Sequence, residues 1–213
     1  GRYLEVQPNR YITDKLETFN VEVWFNNVTE SNHIIGAQFR LKYNATLLEV
    51  QKVTEGSFFK QFGNTFFVNY TILSESDDPI NYGLYGPHIY VGIVILASDG
   101  QYAKFPGGSG ILATVTFRGI YRSFDEVLKS PLELSGIIVV AQPEPNVIPT
   151  IATTSPKNGC YEIFPLLPML KAQPQVYEAK KKDESFNINV TVYNLHLDIE
   201  LNSIEFKLTY NAT

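Results

Sequence analysis

The chain has 213 residues, 44% of them hydrophobic and 13% aromatic, which is enough apolar material for a large core and excludes a disordered chain. A formal net charge of -5 leaves no basic footprint for nucleic acid, and no partnership of that kind is expected. The longest apolar run, Tyr90 to Ala97, is eight residues, well short of the roughly 18 to 20 that span a bilayer, so no membrane-spanning segment is expected.

In chain order, Tyr3 to Val6 reads as an opening strand. From Phe19 the sequence alternates: Phe19, Val21, Val23 and Phe25 share one face, and Asn20, Glu22 and Trp24 the other, the period of a half-buried strand. A polar connection, Asn26 to His33, leads to a second alternating strand carrying Ile35, Ala37, Phe39, Leu41 and Tyr43. Leu47 to Val53, Thr65 to Leu73, Ile89 to Leu96, Gly110 to Phe117, Leu132 to Ala141 and Cys160 to Phe164 continue the series. Val, Ile, Phe, Tyr and Thr fill these segments, and Gly, Pro, Asn, Asp and Ser separate them. Nine short strands predict an all-β fold, an antiparallel β-sandwich. The one helical hint is Ser123 to Lys129.

The chain then writes its opening again. Phe19 to Thr46 and Phe186 to Thr213 align without a gap at an offset of 167, and nine of the 28 pairs are identical, among them Asn44-Ala45-Thr46 and Asn211-Ala212-Thr213. Gln7-Pro8 and Tyr11 recur as Gln173-Pro174 and Tyr177, at an offset of 166. A period this long is the size of a domain. The expected organisation is a complete sandwich over 1–164, a proline-rich linker over 165–175 that is extended and stiff, and the opening strands of a second, incomplete repeat over 176–213. Those strands are expected around Val176, over Phe186 to Tyr193 and over Ile204 to Tyr210. Three amphipathic strands bare an apolar face that needs a partner, supplied by a continuing polypeptide or by another chain along open sheet edges. Either route builds a head-to-tail polymer of copies of itself.

Candidate chemistry is sparse. Cys160 stands alone, which excludes an intrachain disulfide, and reads as a buried strand residue, an interchain disulfide being the alternative. Neither a catalytic constellation nor a cofactor motif is recognisable, and no enzyme activity is expected. His33, His88 and His196 lack the spacing of a metal site. Glu75, Asp77 and Asp78 offer carboxylates to calcium, but a solvated turn before Asp78-Pro79 explains them as well. The sequon Asn-x-Ser/Thr occurs at Asn27, Asn44, Asn69, Asn189 and Asn211, pointing to covalent glycans on an extracellular or cell-surface protein. For Asn44 and Asn211 a turn-forming role is equally open. Asn69 sits in a predicted strand and must face outward to carry sugar.

The run GAQFRLKYNATLLEVQKVTEGSFF, with Gly36, Phe39, Leu41, Tyr43-Asn44, Leu48, Val50 and Gly56, resembles the early signature of cohesin-like domains. GILATVTFRG from Gly110 is similar to a later strand, and PLELSGIIVV and NGCYEIF to the closing ones. The resemblance implies a nine-stranded jelly roll related to carbohydrate-binding modules. It also implies one of two roles: receptor for dockerin modules, or tandem extracellular module of the kind found in archaeal surface proteins. The leading expectation is a non-catalytic structural module of an extracellular filament or repeat-built surface protein. The alternative is a protein- or polysaccharide-binding module, with Trp24, Tyr82, Tyr85 and Tyr90 as stacking platforms for sugars.

Overall fold

Alternation of side chains decides the first sheet. Along β3 (Thr18–Val28), Phe19, Val21, Val23 and Phe25 are buried while Asn20, Glu22 and Trp24 look outward. β3 pairs antiparallel with β1 (Tyr3–Gln7) on one side and with β8 (Gly108–Gly119) on the other. β5 (Leu48–Glu55) lies beyond β8, and β11 (Ser155–Lys157) runs parallel to β1 at the far edge. The computed structural model describes residues 1–174, 177–178, 184–195 and 203–209.

The second sheet orders β2 (Arg10–Thr13), β12 (Gly159–Ile163), β9 (Leu128–Ala141), β4 (Ile34–Lys42), β7 (His88–Ile95) and β6 (Thr65–Ile72), with β10 (Thr150–Ala152) also on β9. The two sheets face each other across one core. Leu4, Val23, Phe25, Val115 and Phe117 come from the first, and Phe39, Leu41, Val91, Leu134 and Tyr161 from the second. Near one end Phe19, Tyr11 and Tyr161 form a cluster of near-parallel rings, Phe19 lying 4.1 Å from Tyr11 and 5.1 Å from Tyr161, and the two tyrosines 6.3 Å apart. Burying each large side chain stabilises by about 1.5–3 kcal/mol, so this layer carries the fold. All nine expected strands form, and the architecture is the expected jelly-roll sandwich.

Within the sandwich β2, β10, β11 and one α-helix were not anticipated, β13 (Met169–Gln173) forms in the stretch expected to be a linker, and one anticipated helix is absent. Ser123 to Lys129 is a turn: the Ser123 hydroxyl accepts the backbone N–H of Glu126 at 3.2 Å, and β9 begins at Leu128. The helix that does form, α1 (Pro79–Tyr85), starts where Asp78 accepts the N–H of Asn81 at 3.1 Å and Pro79 occupies the first turn. Cys160 is half-buried on β12 rather than fully buried, because it lies on the outward side of the strand, opposite inward-facing Tyr161.

Two further strands follow the sandwich. β13 (Met169–Gln173) pairs antiparallel with β14 (Asn189–Tyr193) as a separate two-stranded sheet. Residues 203–209, where a strand was expected, run without strand pairing. In the sandwich the corresponding strand, β4, is held by β7 and β9, and the described residues after 174 contain no counterpart of either. Val176, His196, Tyr210 and Asn211 lie outside the described residues.

Candidate functional site: a repeated hairpin and an apolar sheet face

The hairpin β13/β14 reproduces β1/β3 position by position. Tyr3 opposes Asn26 and Gln7 opposes Glu22; Met169 opposes Tyr193 and Gln173 opposes Asn189, the same register shifted by 166 on one strand and 167 on the other. Both Gln7-Pro8 and Gln173-Pro174 are cis. Asn27 and Asn194 both adopt left-handed backbone, with φ of 57° and 58°, a conformation Asn tolerates better than most residues. Tyr177 stacks on Phe186 at 4.4 Å and 12°, matching Tyr11 on Phe19. The Tyr11 hydroxyl donates to Glu17, and that of Tyr177 to Glu184. Burial and then the Glu17 bond push the Tyr11 hydroxyl up to about 12.

This hairpin is fastened to the sandwich by named groups. Arg122 donates to the carbonyls of Phe164 at 2.7 Å and Pro165 at 2.6 Å, and to Oδ1 of Asn194 at 2.7 Å. Nδ2 of Asn194 donates back to the carbonyls of Pro165 and Leu167. Phe164 packs on Tyr193 at 4.7 Å. Beneath them lies Glu162, only 1% exposed, with Arg10 bonded to its carboxylate at 2.6 Å, and with Lys171 and Lys129 at 3.6 and 3.9 Å. Burial alone would push the Glu162 carboxyl up. The Arg10 hydrogen bonds and the surrounding cations outweigh it and hold the group below its ordinary range. None of these joint residues is conspicuous in the sequence. Lys171 becomes buried only because Phe164, whose ring lies 4.4 Å from its Nζ, and Glu162 meet it.

The outer face of the second sheet is the other feature. Cross-strand pairing sets Phe66, Val94, Gly36, Val140 and Ile151 in one row across β6, β7, β4, β9 and β10. Phe66 is 58% and Ile151 74% exposed. Beside the row, Tyr70 stacks on Tyr90, and the Arg40 guanidinium lies over Tyr90 and Tyr85 at 5.4 and 5.1 Å. Arg40 Nε and the hydroxyl of Ser135, its neighbour on β9, are buried without hydrogen-bond partners. Gly136, at φ 54°, makes room for this guanidinium, since a Cβ there would stand 2.5 Å from an Arg40 nitrogen. An apolar strip flanked by aromatic rings and a guanidinium whose Nε has no hydrogen-bond partner suits a protein or ring-bearing ligand.

The residues singled out in the sequence scatter. Asp77 accepts the N–H groups of Leu73 and Ser74, and Asp78 caps α1, so both carboxylates serve local backbone, whose donors hold them below the ordinary range. Among the described residues no three or more His, Cys, Asp or Glu side chains converge as metal ligands. Tyr85 and Tyr90 meet around Arg40, whereas Trp24 is on the other sheet, bonded to Glu22 at 2.7 Å, and Tyr82 is half-buried on α1. Asn27 and Asn189 are exposed. Asn44 is half-buried and accepts both the N–H and the hydroxyl of Thr46, at 2.9 and 2.7 Å. Asn69 lies opposite Val91, on the side of β6 that looks toward the core, yet is exposed because β6 is the edge strand.

A two-sheet jelly roll with a broad apolar face and a docked hairpin defines the class, a β-sandwich module. Residues 16–119 match the family model of the Cohesin domain, and the sandwich is a cohesin-like jelly roll. The fold is that of the seventh ScaB type I cohesin of Pseudobacteroides cellulosolvens, with 17% identity over 84% of this chain and 97% of that one, TM-score 0.51. A chain from a type I cohesin–dockerin complex of Clostridium thermocellum containing OlpC gives 17% identity over 77% and 95%, TM-score 0.55. The sixth cohesin of Acetivibrio cellulolyticus scaffoldin B, solved with a mutant Cel5 dockerin, gives 19% over 77% and 99%, TM-score 0.52. A search of curated proteins finds no match. No helix among the described residues is long and apolar enough to cross a membrane.

Proposed function

We propose that this chain is a non-catalytic, cohesin-like building block of an extracellular filament or repeat-built surface protein. Sandwiches follow one another head to tail, with residues 165 onward opening a second repeat. The observation that carries the reading is the rebuilt hairpin, with its register and its Tyr–Phe stack, fastened to the preceding sandwich through Arg122, Phe164 and Glu162. Such a fastening fixes the direction in which the next module leaves, which a linear polymer requires. Glycans on the exposed Asn27, Asn69 and Asn189, and on Asn44 and Asn211, shield its surface; the one on Asn69 guards the edge of β6. The test is electron microscopy of the native material together with the polypeptide mass after deglycosylation. Rods or strings of evenly spaced modules are expected, and a monodisperse single-module particle with no sugar mass overturns the reading.

A second reading has its own observation. The exposed row from Phe66 to Ile151, beside Arg40, favours docking of a protein, and cohesins of this fold have been solved in complexes with dockerins. Val94→Glu in the middle of the row is expected to abolish dockerin binding without lowering Tm. Binding that survives the substitution removes this face from consideration. Glycan-array binding that disappears in Tyr85→Ala favours a polysaccharide instead.

A further inference from the structure

We propose that Arg40 is the specificity element of the outer face of the second sheet, an anchor for the carboxylate of an Asp or Glu side chain on a protein partner. The inference rests on the second reading above, of that face as a protein-docking surface, and names the chemistry the face selects. The backbone of β9 departs from regular pairing to seat this side chain. Gln38 opposes Ile138 and Arg40 opposes Ser135, so Gly136 and Ile137 together stand across from Phe39, a β-bulge. Bulges re-aim side chains, and this one holds Gly136 in left-handed backbone at φ 54°, where a Cβ would stand 2.5 Å from Arg40 Nη1. Tyr90, directly opposite Arg40 on β7, and Tyr85, at the end of α1, bring their rings to 5.4 and 5.1 Å from its Cζ.

The side chain has a sealed end and an open one. Nε is buried without a hydrogen-bond partner. Leaving a buried N–H unpaired costs stability, and the fold accepts that cost at the group it fixes in place. The two terminal nitrogens are not sealed, and among the described residues no hydrogen bond or ion pair reaches them. Asp78, whose carboxyl feels the Arg40 charge, gives its oxygens to the backbone N–H and side-chain Nδ2 of Asn81, at 3.1 and 2.6 Å. The guanidinium therefore presents its fork of donors to whatever docks, in the planar geometry that takes a carboxylate through two parallel bonds.

What surrounds the fork selects a protein. The row from Phe66 to Ile151 is separated from Arg40 by a second row, Val68, Gly92, Gln38 and Ile138. Both rows are apolar apart from Gln38, whose Oε1 already accepts the Tyr90 hydroxyl at 3.3 Å. Such ground takes the apolar side chains of a protein and gives the hydroxyls of a sugar chain little to bond. Four residues of strand part Arg40 from Gly36, about 13 Å. The fitting segment carries its acid about 13 Å from its apolar residues, roughly nine positions away on a helix or four on a strand.

The test pans a phage-displayed library of random linear peptides against the 213-residue protein and measures Kd for synthetic copies of the selected sequences. Peptides whose binding is lost in Val94→Glu sit on this face, and each is expected to carry an Asp or Glu. Changing that acid to its amide, or Arg40→Gln in the protein, weakens binding about 10- to 100-fold, and the two changes together cost no more than either alone. Arg40→Lys, which keeps the charge but not the fork, falls between. Should Arg40→Gln fail to fold, the acid-to-amide peptides against the unaltered protein give the same reading. Face-binding peptides without an acid, affinity unchanged in Arg40→Gln, or losses that simply add overturn the proposal and leave the docking reading standing. A library with no peptide sensitive to Val94→Glu removes the docking reading and the proposal with it. Polygalacturonate binding that Arg40→Gln abolishes, with no such peptide found, gives the anchor to a sugar acid and overturns the protein assignment.

Discussion

Removing the Arg122 side chain tests how firmly the hairpin is fastened. Its guanidinium makes three short hydrogen bonds, two to the carbonyls of Phe164 and Pro165 and one to Asn194 Oδ1. Arg122 is half-exposed, so each bond contributes about 1 kcal/mol, below the range for fully buried charged groups. Phe164 belongs to the sandwich, so only the Pro165 and Asn194 bonds hold the hairpin; together they give about 2 kcal/mol, or roughly a 30-fold rise in its opening equilibrium. Asn194 keeps its own bonds to Pro165 and Leu167 in Arg122→Ala, so at least roughly a tenfold loss is expected after that compensation. Native-state hydrogen exchange reads this directly: amides of β13 and β14 lose protection while those of β3, deep in the sandwich, keep theirs. Arg122→Lys, which keeps the charge but not the planar fork, is expected to fall between. Unchanged protection in β13 and β14, or an equal loss in β3, would refute the claim that Arg122 acts at the joint.

Three other predictions address different parts of the molecule. In Gly56→Ala the new Cβ would lie 2.0 Å from the backbone oxygen of Ile111, a clash that no side-chain rotation relieves. A loss of about 2 kcal/mol, roughly 4–8 °C in Tm, is expected by differential scanning calorimetry, and an unchanged Tm would show that β8 yields there. Because Glu162 is held below its ordinary value of 4.5, its ion pairs stabilise fully above that pH and are lost as pH falls through the lowered folded value. Thermal melts should therefore show an acid loss that is shallower in Glu162→Gln; parallel acid limbs would rule out a contribution from Glu162. Asn44→Asp keeps an oxygen for the Thr46 N–H and hydroxyl but removes the amide a sugar needs. Native protein should then lose the mass of one glycan at constant Tm; an unchanged mass leaves Asn44 with the turn alone.

Much of the sandwich was legible because its long strands carry their own signal. Val21, Val23 and Phe25 alternate with polar neighbours whatever lies across from them. β2 was missed because it is four residues long, largely exposed, and held by a parallel partner, β12, about 150 residues away. α1 was missed because Asp78 was weighed as a calcium ligand when Asp followed by Pro is also the start of a helix. The glycosylation motifs were legible as motifs, yet the position of Asn69 on an edge strand, which exposes a core-side residue, depends on sheet order.

The sequence by itself determined the all-β class, the run of nine strands and the repetition at 167 residues, since period-two alternation and self-similarity are local or countable properties of the chain. Only the tertiary structure decided that Met169 to Gln173, in a stretch expected to be a linker, forms a strand in the register of β1. It also decided that Arg122, Glu162 and Lys171 meet at a joint, and that Phe66, Val94, Val140 and Ile151 line up in one row. These groups are far apart along the chain, and a buried charge or a shared surface exists only after the backbone has brought its partners within a few ångströms.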